Sequence, residues 1–122
     1  MKISEIPGFS KEFDYIFAVC TFLDGFYEAE QDEKSLLLAD EPENGILDER
    51  QYCNLAAAAH KLANDYNLTV PAWAMQNKYI MPYPVYAFNA DDKDDQELLQ
   101  MATPSEYKIL NLYLGANILK RV

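Results

Sequence analysis

The chain has 122 residues, with 20 Asp/Glu against 10 Lys/Arg and a formal charge of −10. Half of the residues are apolar, enough for a chain of this length to bury a core without staples. The negative charge disfavours direct nucleic-acid binding, and no stretch approaches the ~20 apolar residues of a membrane span.

The expected organisation is a single acidic helical domain over residues 1–122. Its charge is uneven. Residues 1–60 carry thirteen Asp/Glu and four Lys/Arg, and residues 61–122 carry seven and six. Such a front half attracts a basic protein partner, or serves simply as a solvated surface. Cys20 and Cys53 sit among apolar residues and read as reduced thiols. With no signal-length apolar run in the first residues, the expected location is the cytoplasm.

In chain order, the segment from Phe9 to Glu30 reads as one amphipathic helix. Phe9, Phe13, Phe17, Phe22 and Phe26 form its apolar stripe, Ser10 is placed to cap it, and Gly25 is a weakness rather than a break. Asp32 is placed to cap a short helix through Leu36, Leu37 and Leu38, and Pro42 and Gly45 mark a loop. The strongest helix begins at Asp48, with Gln51 three residues on as a capping-box partner. Its small-residue run, Ala56 to Ala59, invites close approach. The phenylalanine-rich helix is the expected neighbour, packed antiparallel.

Val70 to Phe88 holds the only tryptophan, Trp73, together with Tyr79, Tyr83, Tyr86 and three prolines. Pro71 can open one helical turn, and Pro82 and Pro84 favour extended backbone beyond it. This stretch is expected to close the core, with the indole enclosed by Leu110, Leu112, Leu114, Ile118 and Leu119 of the tail. The run from Asp91 is an acidic entry to a short helix. Thr103, Pro104 and Glu106 read as the next start, with Thr103 as its cap. Residues 107–114 fit either helix or strand. The resulting fold class is mainly α: a compact helical domain with two long packed helices and several short ones. A small two-stranded element is expected near 79–88 and 110–114.

No constellation of residues announces chemistry. His60 is the lone histidine and lacks companions at ligand spacing. The carboxylates of Asp91 to Asp95 lack the glycine and terminal glutamate of a calcium loop. Those from Asp40 to Glu49 lie in a loop without rigid support. Four isolated glycines cannot form a phosphate loop. No catalytic residue, cofactor or metal is therefore assigned. The expected contacts for a basic partner are Tyr79, Tyr83 and Tyr86 with Asp40, Glu41 and Glu43. The alternatives are an acidic nucleic-acid mimic that inhibits a DNA-binding protein, or an enzyme using His60 or grouped carboxylates.

Three strings, "FLDGFYEAEQDEKSLLLADEP", "LANDYNLTVPAW" and "TPSEYKILNLYLGANILKRV", resemble an uncharacterised family of small bacterial proteins. Its members look like stand-alone chains or C-terminal extensions of helix-turn-helix regulators. The resemblance implies bacterial regulation, of a toxin–antitoxin kind, and carries over no catalytic residue. This sequence has no room for a helix-turn-helix domain ahead of the shared region.

Overall fold

The computed structural model describes residues 1–87 and 90–121. It is mainly helical: α1 (Ile6–Ser10), α2 (Tyr15–Glu28), α3 (Gln31–Leu38), α4 (Glu49–Asp65), α5 (Lys93–Ala102) and α6 (Ser105–Lys108). Two short strands, β1 (Val85–Tyr86) and β2 (Leu112–Tyr113), pair in parallel, Val85 opposite Leu112. Residues 107–114 thus divide between the two expectations, the end of a short helix and then a strand. Phe88, part of the expected strand region, lies outside the described residues.

α4 is the central helix. Gln51 N–H donates to the Asp48 carboxylate at 2.8 Å, and Asp48 N–H donates to Gln51 Oε1 at 3.0 Å. This reciprocal cap satisfies two amides that the first turn leaves free. At the other end Asn67 takes a left-handed φ of 56°, so that Leu68 N–H reaches the Ala63 carbonyl at 2.8 Å. Between the ends, Ala56, Ala57, Ala58 and Ala59 are all buried. Four consecutive residues sweep about 300° of helix, so the middle of α4 is enclosed on nearly every side.

α6 and a 3-10 turn, Ala72–Met75, both pack closely on α4, an approach that small side chains favour. The expected occupant was the phenylalanine-rich helix, running antiparallel. α2 does lie against α4, but in the same direction. Tyr15, at the start of α2, meets Gln51 and Asn54 at 3.4 and 3.5 Å. Phe26, near its end, meets the Tyr66 ring at 5.6 Å. The reversal comes from α3, which carries the chain back: Gln31 at its start donates to Tyr66 O, beyond the end of α4.

The joint between these helices is Lys34, which is buried. Its ammonium donates to the Tyr27 and Ala29 carbonyls at the end of α2 and lies over the rings of Phe26 and Tyr66, 5.5 and 5.1 Å from their centroids. Carbonyls at a helix C-terminus are unsatisfied and partly negative, so a cation there does a cap's work.

The single long helix expected from Phe9 is broken. α1 ends at Ser10, whose hydroxyl donates back to Pro7 O rather than capping forward. Asp14 begins α2 instead, accepting from Phe17 N–H at 2.7 Å. α2 then runs through Gly25 without interruption. Two further caps differ from expectation. Asp32 lies within the first turn of α3 and accepts from Glu33 N–H, while Glu30 holds the cap position. Thr103 accepts from Gly115 N–H at 2.9 Å, tying the start of α6 to the tail, and α6 begins after Pro104.

Trp73 is enclosed, at 7 % exposure, within a continuous core. Two contacts, with α3 and with Tyr79, fix its orientation. The indole N–H donates to Leu38 O at 3.0 Å, and the Tyr79 ring meets it edge-on at 5.9 Å. Leu110, Leu112 and Leu119 are buried in the same core. The tail's backbone is tied elsewhere. Met81 N–H donates to Leu110 O, Val85 N–H to Asn111 O, and the Tyr27 hydroxyl to Leu119 O.

Trp73→Phe leaves the Leu38 carbonyl without its donor and opens a cavity. It should lower unfolding free energy by about 2–4 kcal/mol in urea titrations followed by circular dichroism. Lys34→Met strands two carbonyls at the end of α2 and should cost about 1–3 kcal/mol. A variant as stable as the parent would show that the ammonium's own desolvation cancels what it contributes.

Candidate binding surface

The six residues expected to contact a partner fall into two groups. Tyr79 is buried and its hydroxyl donates to Glu41. Glu41 also accepts from the Lys78 ammonium at 2.8 Å and from Gln76 at 3.2 Å. Tyr79 and Glu41 therefore form an internal latch that holds the loop after α3 against the aromatic segment. Tyr86 is half-buried, stacks on Tyr113 at 5.1 Å and accepts from Gln100 at 2.8 Å. The other three face outward. Tyr83 is exposed, Asp40 is exposed and pairs loosely with Lys2 at 3.6 Å, and the Glu43 side chain is exposed. The Glu43 carbonyl takes the Tyr52 hydroxyl, which fixes the loop before α4. Tyr83 and Tyr86 line an open groove of about 620 Å³, with Arg50 among its walls.

No group of three or more His, Cys, Asp or Glu side chains converges among the described residues. His60 is half-buried on α4, Cys53 is buried and Cys20 half-buried, both as free thiols. Burial pushes the Cys53 thiol up to about 11, which keeps it protonated and unreactive near neutrality. Tyr107 is fully buried, with no hydrogen-bond partner for its hydroxyl among the described residues. Burial raises its pKa well above the ordinary tyrosine value. No described helix is long and apolar enough to cross a membrane.

The feature that the sequence reading placed inside the protein lies on its surface. Phe9, Phe13 and Phe17 form a compact triangle at the junction of α1 and α2. Their ring centroids are separated by 4.8 Å (Phe9–Phe13), 5.4 Å (Phe13–Phe17) and 6.0 Å (Phe9–Phe17). Phe13 is 48 % exposed, Phe17 51 % and the adjacent Ile16 72 %. Only Phe22 and Phe26 of the expected stripe are buried. The spacing contained the signal. Phe17 to Phe22 is a step of five residues, which swings about 140° around a helix and puts the two on different faces. Beside Phe9 opens a groove of about 520 Å³, bordered by Met1, Gly8, Glu5, Glu12 and Glu43.

The latch gives a pH signature. Hydrogen bonds from Lys78 and then Tyr79 hold the Glu41 carboxyl below the usual carboxylate range. A depressed folded-state value stabilises the fold above the unfolded value, and that stability is lost as pH falls through the folded one. Burial, then the Glu41 carboxylate, raise the Tyr79 hydroxyl above 10. Its contribution is complete below pH 10 and is lost as pH rises beyond it. In denaturant titrations the stability gap between the parent and Glu41→Gln should narrow as pH falls from 6 to 3. A gap that is constant with pH would remove Glu41 from this role.

A scan of protein-family models found none that matches the chain, and neither the curated proteins nor the solved structures gave a match.

Proposed function

We propose that the protein is a non-enzymatic binding domain that docks a protein with a basic surface through the phenylalanine cluster at the α1–α2 junction. The observation that carries this reading is the joint exposure of Phe13, Ile16 and Phe17. Together they present on the order of 300 Å² of apolar surface, the size of the largest patch on a typical monomer, where such patches are often functional. The patch lies in the half of the chain with thirteen Asp/Glu against four Lys/Arg, which favours a basic partner by long-range attraction. Its resemblance to small bacterial proteins suggests the setting, a regulatory or antitoxin-like component of the cytoplasm.

The tyrosine groove supports a basic partner less well, because Arg50 offsets Asp91 on its walls and Tyr79 and Glu41 are engaged with each other. A nucleic-acid mimic needs free carboxylates in a phosphate-like array. Asp24, Asp40, Asp65 and Glu41 are taken by ion pairs, and an exposed apolar knob has no counterpart in a row of phosphates.

A photo-crosslinking residue placed at position 17 should trap one specific protein in cells, and capture of that protein should weaken as salt rises. The double change Ile16→Asp/Phe17→Ser touches exposed positions, so the circular dichroism spectrum should be retained while capture falls at least tenfold. Undiminished capture by that folded variant would sink the proposal.

A further inference from the structure

We infer that the occupant of the phenylalanine cluster is an amphipathic helix whose apolar ridge is flanked by Lys or Arg. This rests on the reading of the cluster as a contact surface and adds the chemistry of what it contacts.

The shape of the site comes first. The three rings make a knob, and the groove beside Phe9 makes a hollow next to it. At Gly8, on the groove wall, an added Cβ would meet nothing within 4 Å, so the hollow is open there. The surface is built from helices and a helical turn, and the sheet lies in another part of the chain. Strand addition requires a free sheet edge, whereas a helix laid across a knob and a hollow offers side chains at i, i+3 and i+4 to both.

Charge decides what flanks the ridge. Three carboxylates border the groove: Glu5, Glu12 and Glu43. Glu5 accepts from Lys2 N–H at 2.7 Å. Glu12 and Glu43 form no ion pair among the described residues. Lys11 is the one basic residue between Ile3 and Glu33, a segment with eight Asp/Glu. A partner lysine or arginine can lay its aliphatic stem on Met1 and Phe9 while its head reaches a carboxylate at the rim.

A second copy of this chain fits poorly. A self-complementary contact would set Glu5, Glu12 and Glu43 of one copy against those of the other, between chains of −10 each. An anionic membrane would be repelled by the same rim.

The test is an NMR titration of the intact chain with two synthetic helices of about 14 residues, four turns each. One is a Leu/Lys amphipathic peptide and the other has every Lys replaced by Gln. The Leu/Lys peptide should shift the amides of Gly8, Phe9, Phe13 and Phe17. It should bind about tenfold tighter than the Leu/Gln peptide at low salt, and lose that advantage as salt rises. Glu12→Lys/Glu43→Lys should erase the preference, and Ile16→Asp/Phe17→Ser should erase binding by both. Equal affinity of the two peptides at these amides would overturn the basic-flank chemistry and leave the contact surface standing. Shifts confined to other acidic segments, unaltered by Ile16→Asp/Phe17→Ser, would overturn both. Dimerisation lost in that variant, or binding to anionic vesicles through the same residues, would assign the cluster to a second copy or to lipid and overturn the inference.

Discussion

The arrangement of the helices depends on one buried cation. Lys34 lies where α2 ends and where Tyr66 closes α4, and its ammonium is held by two carbonyls and two ring faces with no carboxylate partner among the described residues. A buried ammonium is tolerated only where each proton finds an acceptor, and the end of a helix supplies acceptors that no intrahelical donor can reach. Placing α3 so that Lys34 reaches that point brings the C-terminal ends of α2 and α4 together. α2 must then run alongside α4 in the same direction, with α3 as the returning arm.

The consequence for the surface is direct. With its C-terminal end at the Lys34 joint, α2 buries Ala18, Phe22 and Phe26. Its N-terminal end, set by the Asp14 cap, then presents Ile16 and Phe17 outward. α1 folds back against α2 and brings Phe9 under the same rings. The core is completed by α6 and the Trp73 turn, both packed closely on α4, whose Ala56 to Ala59 are buried. Alanine permits this close approach, and the elements that make it bring the buried side chains of Tyr107 and Trp73 into the core.

Local chemistry made parts of this fold legible in the sequence. Asp48 with Gln51, the acidic entry to α5, the turn after Pro71 and the loop at Gly45 all rest on interactions within a few residues, and the structure has each of them. The pairing of residues near 85 with those near 112 was also readable, because prolines confine the first strand to an edge. What could not be read was anything set by distant partners. Thr103 looks like a cap until Gly115, twelve residues on, takes its hydroxyl. Glu41 looks like a free loop carboxylate until Lys78 and Tyr79 reach it. Lys34 reads as a surface residue, since nothing in its own helix predicts burial. The five phenylalanines differ in kind: the five-residue step from Phe17 to Phe22 rotates the two to separate faces, so steps of four and five do not make one stripe.

The aromatic stretch and the acidic surplus turn out to answer different questions. Trp73, Tyr79 and Tyr86 are enclosed or stacked, and the polar tip of each has a partner within the chain, so most of that stretch is structural. Apart from Tyr83, the strongly exposed aromatic rings lie at α1–α2, where they add little to folding because Phe13, Ile16 and Phe17 are about half or more uncovered. A knob of that kind invites association between copies, and a charge of −10 opposes it by repulsion. The two properties are therefore coupled. On the proposed reading, the charge that opposes contact between identical chains also favours, among the apolar ridges the knob could meet, those that arrive with positive flanks.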